Sequence, residues 1–388
     1  MKNFNDVINR RNTNSLKWDV GENELPMWVG DMDFQTAPCV TEAIIKKAKS
    51  GVFGYQIVPN AWYDAIINWW QTRHNFTIKK DWLCFATGVV PAITSTIKRV
   101  TNVGDNVVVM TPVYNIFFNS IENTGRHVLE SPLAYKDGVY SIDWDDLDAK
   151  LAQPLSTMLL LCNPHNPVGK VWTKDELHRI GSLCAKHGVT VFSDEIHCDL
   201  VPIGVNYTPF VSASEVGLTN TVTAISASKA FNLAGLQAAA VFIGNEVLRN
   251  KVVRGLNSDE LAEPNAFAIE ATVAAFSNEA GVWLDGLREF ICENKQKVKA
   301  FLEDNLPQVK AISQDATYFM WLDCSAITDD SKQLAEFIRK ETGLYVSSGS
   351  IFRGNGKYFL RLNVACPNQT LYDGLNRLKT GINLYKES

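Results

Sequence analysis

Three short clusters of reactive residues punctuate the middle of the chain, each directly after an apolar run. They are Asn163-Pro164-His165-Asn166-Pro167-Val168-Gly169, Ser193-Asp194-Glu195-Ile196-His197 and Ser226-Ala227-Ser228-Lys229. Lys229 is followed by the largely apolar Ala230-Phe231-Asn232-Leu233-Ala234-Gly235-Leu236. Such a setting disfavours the ammonium and makes the amine a nucleophile toward an aldehyde. Ser226 and Ser228 add hydroxyls able to donate to a phosphate. Asp194 offers a carboxylate that can keep a pyridine nitrogen protonated, the condition for a ring that accepts electrons. Asn166, in a proline-bounded turn, can hydrogen-bond a ring oxygen. Each also has an ordinary role when read alone: Lys229 as a surface lysine, Asp194 as a helix N-cap, Asn166 as an Asx-turn residue.

Their positions bring them together. Apolar runs at 107–110, 158–161, 189–192, 222–225 and 238–243 are continuous, as in strands buried on both faces. Helical patterns lie between some of them, such as 174–186, opened by Thr173 and closed by Gly188. This predicts an α/β fold with a mostly parallel sheet, in which ligands bind beyond the carboxyl ends of the strands. All three clusters should then line one crevice. Gly88-Val89-Val90 follows the strand-like 83–86 and opens a helix, so its N–H groups and dipole can hold a phosphate; a plain turn is the alternative.

From about Gly281 the texture changes to one long amphipathic helix, broken at Pro307. A strand at 318–322, a helix at 332–341, a strand at 358–364 and a helix from Gln369 predict a smaller α+β unit. In 358–364 the alternation puts Arg361 and Asn363 on one face and Tyr358, Leu360, Leu362 and Val364 on the other. One face is expected in the core and the other toward a cleft. A guanidinium there can grip a carboxylate with two parallel hydrogen bonds, a structural salt bridge being the alternative.

The three clusters resemble those of fold-type I pyridoxal-5'-phosphate (PLP) enzymes of the class I/II aminotransferase superfamily, in the MalY/PatB-like branch of cystathionine β-lyases. The likeness extends to Leu25-Pro26-Met27-Trp28-Val29-Gly30-Asp31-Met32-Asp33-Phe34, Phe53-Gly54-Tyr55, Gly88-Val89-Val90-Pro91-Ala92-Ile93, Thr111-Pro112-Val113-Tyr114 and Arg361-Leu362-Asn363-Val364-Ala365-Cys366-Pro367. The resemblance implies that PLP is the cofactor, with Lys229 its Schiff-base lysine and the general base. It further makes Asp194 the partner of the ring nitrogen, Asn166 the contact to the ring oxygen and Tyr114 the stacking aromatic. Gly88, Val89, Val90, Ser226 and Ser228 then surround the phosphate, His197 joins the cofactor site, and Arg361 with Gly30 binds the substrate. Tyr55 would reach a neighbouring subunit's site, implying a homodimer.

Two departures qualify the match. Many aminotransferase relatives carry a tyrosine three residues after the ring aspartate, where this chain has His197, as the MalY-like branch does. They also commonly place an arginine eight residues after the lysine, where this chain has Gln237. The implied activity is β-elimination from cystathionine or a related cysteine S-conjugate, giving pyruvate, ammonia and a thiol. An aminotransferase, or a PLP-fold protein kept mainly for regulatory binding, are the alternatives on the same fold.

The bulk properties fit. A chain of 388 residues suggests two lobes, and the expected division is an N-terminal segment at 1–47, a large cofactor-binding domain at 48–280 and a small domain at 281–388. A formal net charge of −5 leaves no basic field for nucleic acid or anionic lipid. The eight cysteines have no CxxC, zinc or disulfide spacing, and no metal is expected. Gly354-Asn355-Gly356 lacks the third glycine of a dinucleotide fingerprint. No stretch has a membrane span's run of apolar residues and the N-terminus carries no leader pattern, so a cytoplasmic protein is expected.

Overall fold

The computed structural model describes residues 4–312 and 316–388, so residues 1–3 of the expected N-terminal segment and 313–315 of the expected small domain lie outside the described residues. The central sheet has seven strands: β1 (Leu83–Ala86), β2 (Asn106–Val109), β3 (His127–Glu130), β4 (Ser156–Cys162), β5 (Thr190–Asp194), β6 (Thr221–Ile225) and β7 (Ala239–Phe242). Their order is β1-β7-β6-β5-β4-β2-β3. Pairing is parallel from β6 across to β3, whereas β7 runs antiparallel to both β1 and β6. All five expected strands are present. The pattern of residues carried no sign that one of them is reversed.

The continuous apolar runs have a direct cause. β6 is buried at every position and β4 at all but Thr157, because helices cover both faces. The pleat sends alternate side chains into two cores. Val107, Val109, Met158 and Leu160 pack on one face with Val89, Ala92, Ile93 and Ile97 of the helix Val89–Val100. Val108, Leu159, Leu161 and Val191 pack on the other with Leu177, Ile180 and Cys184 of the helix Lys174–His187. Each fully buried Val, Leu or Ile contributes about 1.5–3 kcal/mol. Thr173 caps the second helix reciprocally with Glu176, and Gly188 ends it at φ +68°.

The long helix runs Asn278–Asn305, starting before Gly281 because Ser277 accepts the N–H of Ala280 and caps it there. Beyond it, the strands Lys310–Ala311, Phe319–Asp323, Phe359–Asn363 and Ser347–Ser348 pair antiparallel in that order. The helices Ser331–Thr342 and Asn368–Glu387 accompany them.

The N-terminal segment is bound to this part of the chain. Leu25–Pro26 pairs parallel with Leu344–Tyr345, and two further bonds join the segment to the same part of the chain, Asn363 N–H donating to Met27 O and Asp33 N–H to Ala365 O, both at 2.9 Å. Its most buried cation is Lys17, whose Nζ lies 2.8 Å from Asp33 Oδ2. Arg10 bonds both Asp31 (2.8 Å) and Asp33 (3.1 Å). Removing one partner of such a buried pair costs about 3–5 kcal/mol, since the other charge is left uncompensated.

Candidate active site

The carboxyl ends of β1, β2, β4, β5 and β6 converge on a cavity of about 500 Å³. Gly30, Gly88, Val89, Val90, Tyr114, Asn166, Asp194, His197, Ser226, Ser228, Lys229 and Arg361 all line it. Tyr55 does not: it is 98% exposed, on a loop with the exposed Val52, Phe53 and Ile57.

Lys229 sits on the short helix Ala227–Ala230 immediately after β6. Its Nζ donates to Gly30 O at 2.7 Å. Burial and then the neighbouring Arg361 guanidinium bring its pKa down to about 8, against the opposing pull of Asp31 and Asp194. It is therefore an amine with a substantial neutral fraction near neutral pH.

Asp194 closes β5 and is buried. Burial pushes its pKa up to about 7, although the N–H of Ile196 donates to Oδ1 at 3.1 Å and Lys229 favours the anion. No helix begins after it, so it is not an N-cap. A buried carboxylate with one backbone donor is short of partners, and a protonated ring nitrogen supplies what it lacks.

Asn166 lies in the turn at 166–169, but its side-chain oxygen is bonded far outside it. Its Oδ1 accepts from Arg361 NH1 at 3.1 Å, across 195 positions of sequence, which leaves its amide N–H groups as the donors. Arg361 also donates to Trp28 O at 3.0 Å and lies 4.0 Å over the Phe319 ring and 4.6 Å over Phe352. Burial lowers its pKa to about 10, so it stays charged. Its buried Nε has no partner among the described residues, an orphaned donor that a ligand carboxylate would answer. Of the strand face expected to look toward a cleft, Arg361 lines the cavity whereas Asn363 is turned to the strap, and all of Phe359–Asn363 is buried. The strap at 28–31 lies over the Arg361 side, and Asn363 Nδ2 donates to Val29 O (2.7 Å) and Asp31 O (2.8 Å).

Gly88 adopts φ +139° and precedes the helix Val89–Val100 without a side-chain cap, so first-turn N–H groups face the cavity end of the helix dipole. A Cβ there would meet Pro91 Cδ at 3.2 Å. Of the two serines, Ser226 commits its hydroxyl proton to Ala238 O (2.6 Å) and accepts the N–H of Ser228 (3.0 Å). As placed, Ser226 is a capping residue with no proton to spare for an anion, and Ser228 is the serine with a hydroxyl to offer.

Tyr114 lines the wall, its phenol pushed up to about 12 by burial. His197 is held neutral by burial and by Lys229, Arg361 and Lys295, with its Nδ1 buried and unpartnered among the described residues. Trp28, Phe319 and Ser347 also line the cavity and were not singled out from the sequence. Only the aromatic character of the strand at 318–322 hinted at Phe319. Gln237 is here too, at the position where relatives commonly have arginine. Away from the cavity, His74, Cys198 and Asp199 bring donor atoms within 4.8 Å of one another, but Asp199 Oδ1 already accepts from Trp69 Nε1 and meets His74 Nε2, each at 3.0 Å. All eight cysteines are free. No helix of the described residues is long and apolar enough to cross a membrane.

A lysine and an aspartate at the carboxyl ends of an α/β sheet, faced by an arginine from the smaller sheet, define a class, and the chain belongs to the family of class I and II aminotransferases, whose profile matches residues 22–378. Within it the similarity runs to the lyase branch. The chain is 42% identical to cystathionine beta-lyase PatB of Bacillus subtilis over 98% of its length and all of that protein's. It is 32% identical to protein MalY of Escherichia coli, over 98% and 99% respectively. Cystalysin from Treponema denticola, a crystal structure containing pyridoxal 5'-phosphate, superposes with a TM-score of 0.95 at 34% identity, covering 99% of each chain.

Proposed function

We propose that this chain is a PLP-dependent carbon–sulfur β-lyase that converts cystathionine or a related cysteine S-conjugate to pyruvate, ammonia and a thiol. The observation that carries the reading is the convergence of Lys229, Asp194, Asn166 and an incompletely bonded Arg361 on one cavity. The names of PatB and cystalysin's cofactor support it.

When bound, PLP supplies an aldehyde that condenses with amines and a ring that takes up the electron pair left by a broken Cα–H bond. Asp194 would hold the ring nitrogen, Asn166 the ring oxygen, and the Gly88–Val90 turn with Ser228 the phosphate, against the Tyr114 wall. Arg361 binds the substrate α-carboxylate and so fixes the direction of the Cα–H bond. The freed Lys229 amine, held at Gly30 O, takes the Cα proton. The Cβ–S electron pair leaves with sulfur, which is protonated to the thiol, and hydrolysis of the remaining three-carbon unit gives pyruvate and ammonia.

The same reading places the protein in the cytoplasm as a homodimer, with Tyr55 and its exposed neighbours meeting the second subunit, and divides each chain into 1–47, 48–280 and 281–388. The deciding experiment supplies the PLP-loaded protein with cystathionine and no 2-oxo acid. Pyruvate, ammonia and thiol should appear in equal amounts. Turnover that consumes a 2-oxo acid and releases no thiol from any sulfur amino acid would make the chain an aminotransferase instead.

A further inference from the structure

Along the strap that carries Gly30, successive backbone carbonyls are taken up by side chains. Trp28 O accepts from Arg361 Nη2 (3.0 Å) and Ser347 Oγ (2.8 Å), Gly30 O from Lys229 Nζ (2.7 Å), and Met32 O from Arg10 Nη1 (2.8 Å) and Asn232 Nδ2 (2.9 Å). The two carbonyls that flank Gly30 go to residues that the proposed reaction does not use. Asn363 Nδ2 donates to Val29 O at 2.7 Å and to Asp31 O at 2.8 Å, and Lys17 Nζ donates to Asp31 O at 3.0 Å. Every one of these bonds lies within a single chain.

The flanking bonds close a small turn. Asp31 N–H donates to Val29 O at 2.9 Å, a three-residue turn with Gly30 at its centre. The Gly30 carbonyl and the Asp31 N–H belong to one trans peptide plane, in which they point opposite ways, so an N–H turned to Val29 O sends the carbonyl outward to Lys229. Asn363 spans the two ends of the turn with both N–H groups of one amide, and that amide cannot flip, because its Oδ1 accepts Ala365 N–H at 2.8 Å. Lys17 is fully buried, and its second bond, to Asp33 Oδ2 at 2.8 Å, fixes the ammonium beside the turn. The turn lies so close to the amine that a Cβ on Gly30 would stand 3.0 Å from Lys229 Nζ and 3.3 Å from Phe319 Cζ.

We infer that Asn363 and Lys17 are positioning residues for removal of the Cα proton: by holding the ends of the turn they aim the Gly30 carbonyl at the Lys229 amine, and so aim the amine at the substrate. This rests on Lys229 as the base of the proposed reaction and deepens that reading. A base misplaced by about 1 Å loses on the order of a hundredfold in rate, so residues that never touch the substrate can govern the step.

The experiment uses Asn363→Ala and Lys17→Met, in the second of which Asp33 keeps its bonds from Arg10 and Trp18. Trp18→Phe is the control, since it loses a bond to Asp33 and none to the turn. In the cofactor-free proteins, labelling of Lys229 by acetic anhydride as a function of pH, read by peptide mass spectrometry, gives the midpoint of the amine. A carbonyl acceptor favours the ammonium, so its loss should lower that midpoint by about half a unit to one unit in both variants. Arg361, Asp31, Asp194 and His197 face the amine in parent and variants alike, and removal of the Lys17 charge would by itself raise the midpoint. In the PLP-loaded proteins, exchange of the alanine Cα proton with heavy water, read by NMR, should slow about 10- to 100-fold in both variants and stay near the parental rate in Trp18→Phe. Either readout unchanged in a variant that folds, or moved as far by Trp18→Phe, overturns the positioning role. Exchange at the parental rate in Lys229→Ala overturns Lys229 as the base, and the inference with it. Neither readout needs a sulfur leaving group, so a failure to release thiol would overturn the lyase reading alone.

Discussion

The buried carboxylate of Asp194 should make the stability of the cofactor-free protein fall as pH rises through the slightly acidic range. In the folded chain its pKa lies near 7, against an ordinary 3.8, and burial is the main cause. The folded state therefore holds this proton more tightly than the unfolded state does. The resulting stabilisation is complete below about pH 4 and lost by about pH 7. At about 1.36 kcal/mol per pH unit, the gap between the two values is worth roughly 4 kcal/mol. Asp194→Asn removes the charge but keeps an oxygen for the Ile196 N–H. The variant should match the parent near pH 4 and exceed it by up to about 4 kcal/mol above pH 7, because groups that titrate alike in both proteins cancel in the difference. Urea unfolding of both cofactor-free proteins across this range measures it. A difference that stays constant with pH would refute the reasoning. The same cost is what a ligand presenting a positively charged N–H would relieve, so cofactor binding should erase most of the gap.

Further outcomes follow from the same geometry. The loaded protein should absorb visible light, and borohydride should fix the cofactor to Lys229; peptide mapping that finds the label on another lysine would displace it. The rate at which cofactor-free protein recombines with PLP should climb with pH and level off near 8, as the Lys229 amine becomes neutral, whereas an ordinary lysine would keep climbing. Arg361→Lys should lower kcat/KM by about 10- to 100-fold, since an ammonium cannot reproduce two parallel bonds to a carboxylate. Gly88→Ala should cost about 1–3 kcal/mol of stability, read by thermal unfolding, because φ +139° suits few other residues and the new methyl crowds Pro91.

Much of this was legible in the sequence because it depends on local pattern. Strands buried on two faces leave continuous apolar runs, and the turns after them carry the polar residues that reach the cavity, so Asn166, Asp194 and Lys229 could be placed before any coordinates. What was not legible depends on partners far away in the chain. Nothing near Lys17 marks it as buried, because its partner Asp33 lies on the strap and the folded segment between them creates the site. The Arg361–Asn166 bond joins two residues that local reading treats separately. Ser226 reads as an anion donor until its proton is seen on Ala238 O. The reversal of β7 leaves no trace either, since a strand buried on both faces has the same composition in either direction.

That reversal shapes how the catalytic lysine is carried. Because β6 leaves and β7 re-enters at the same end of the sheet, residues 226–238 form a loop whose two ends meet, sealed by the Ser226–Ala238 bond. Within it Leu233 N–H bonds Ser228 O, and Asn232 ties the loop to the strap through Met32 and Phe34. Lys229 is thus mounted on a small closed unit fastened at its neck, to the strap through Asn232 and Lys229 itself, and to Asn265 through Leu236 O, with Phe231 of the same unit fully buried. Opening the loop would draw Phe231 out from between Trp69 and Trp283, so the lysine is held in place by packing as well as by hydrogen bonds.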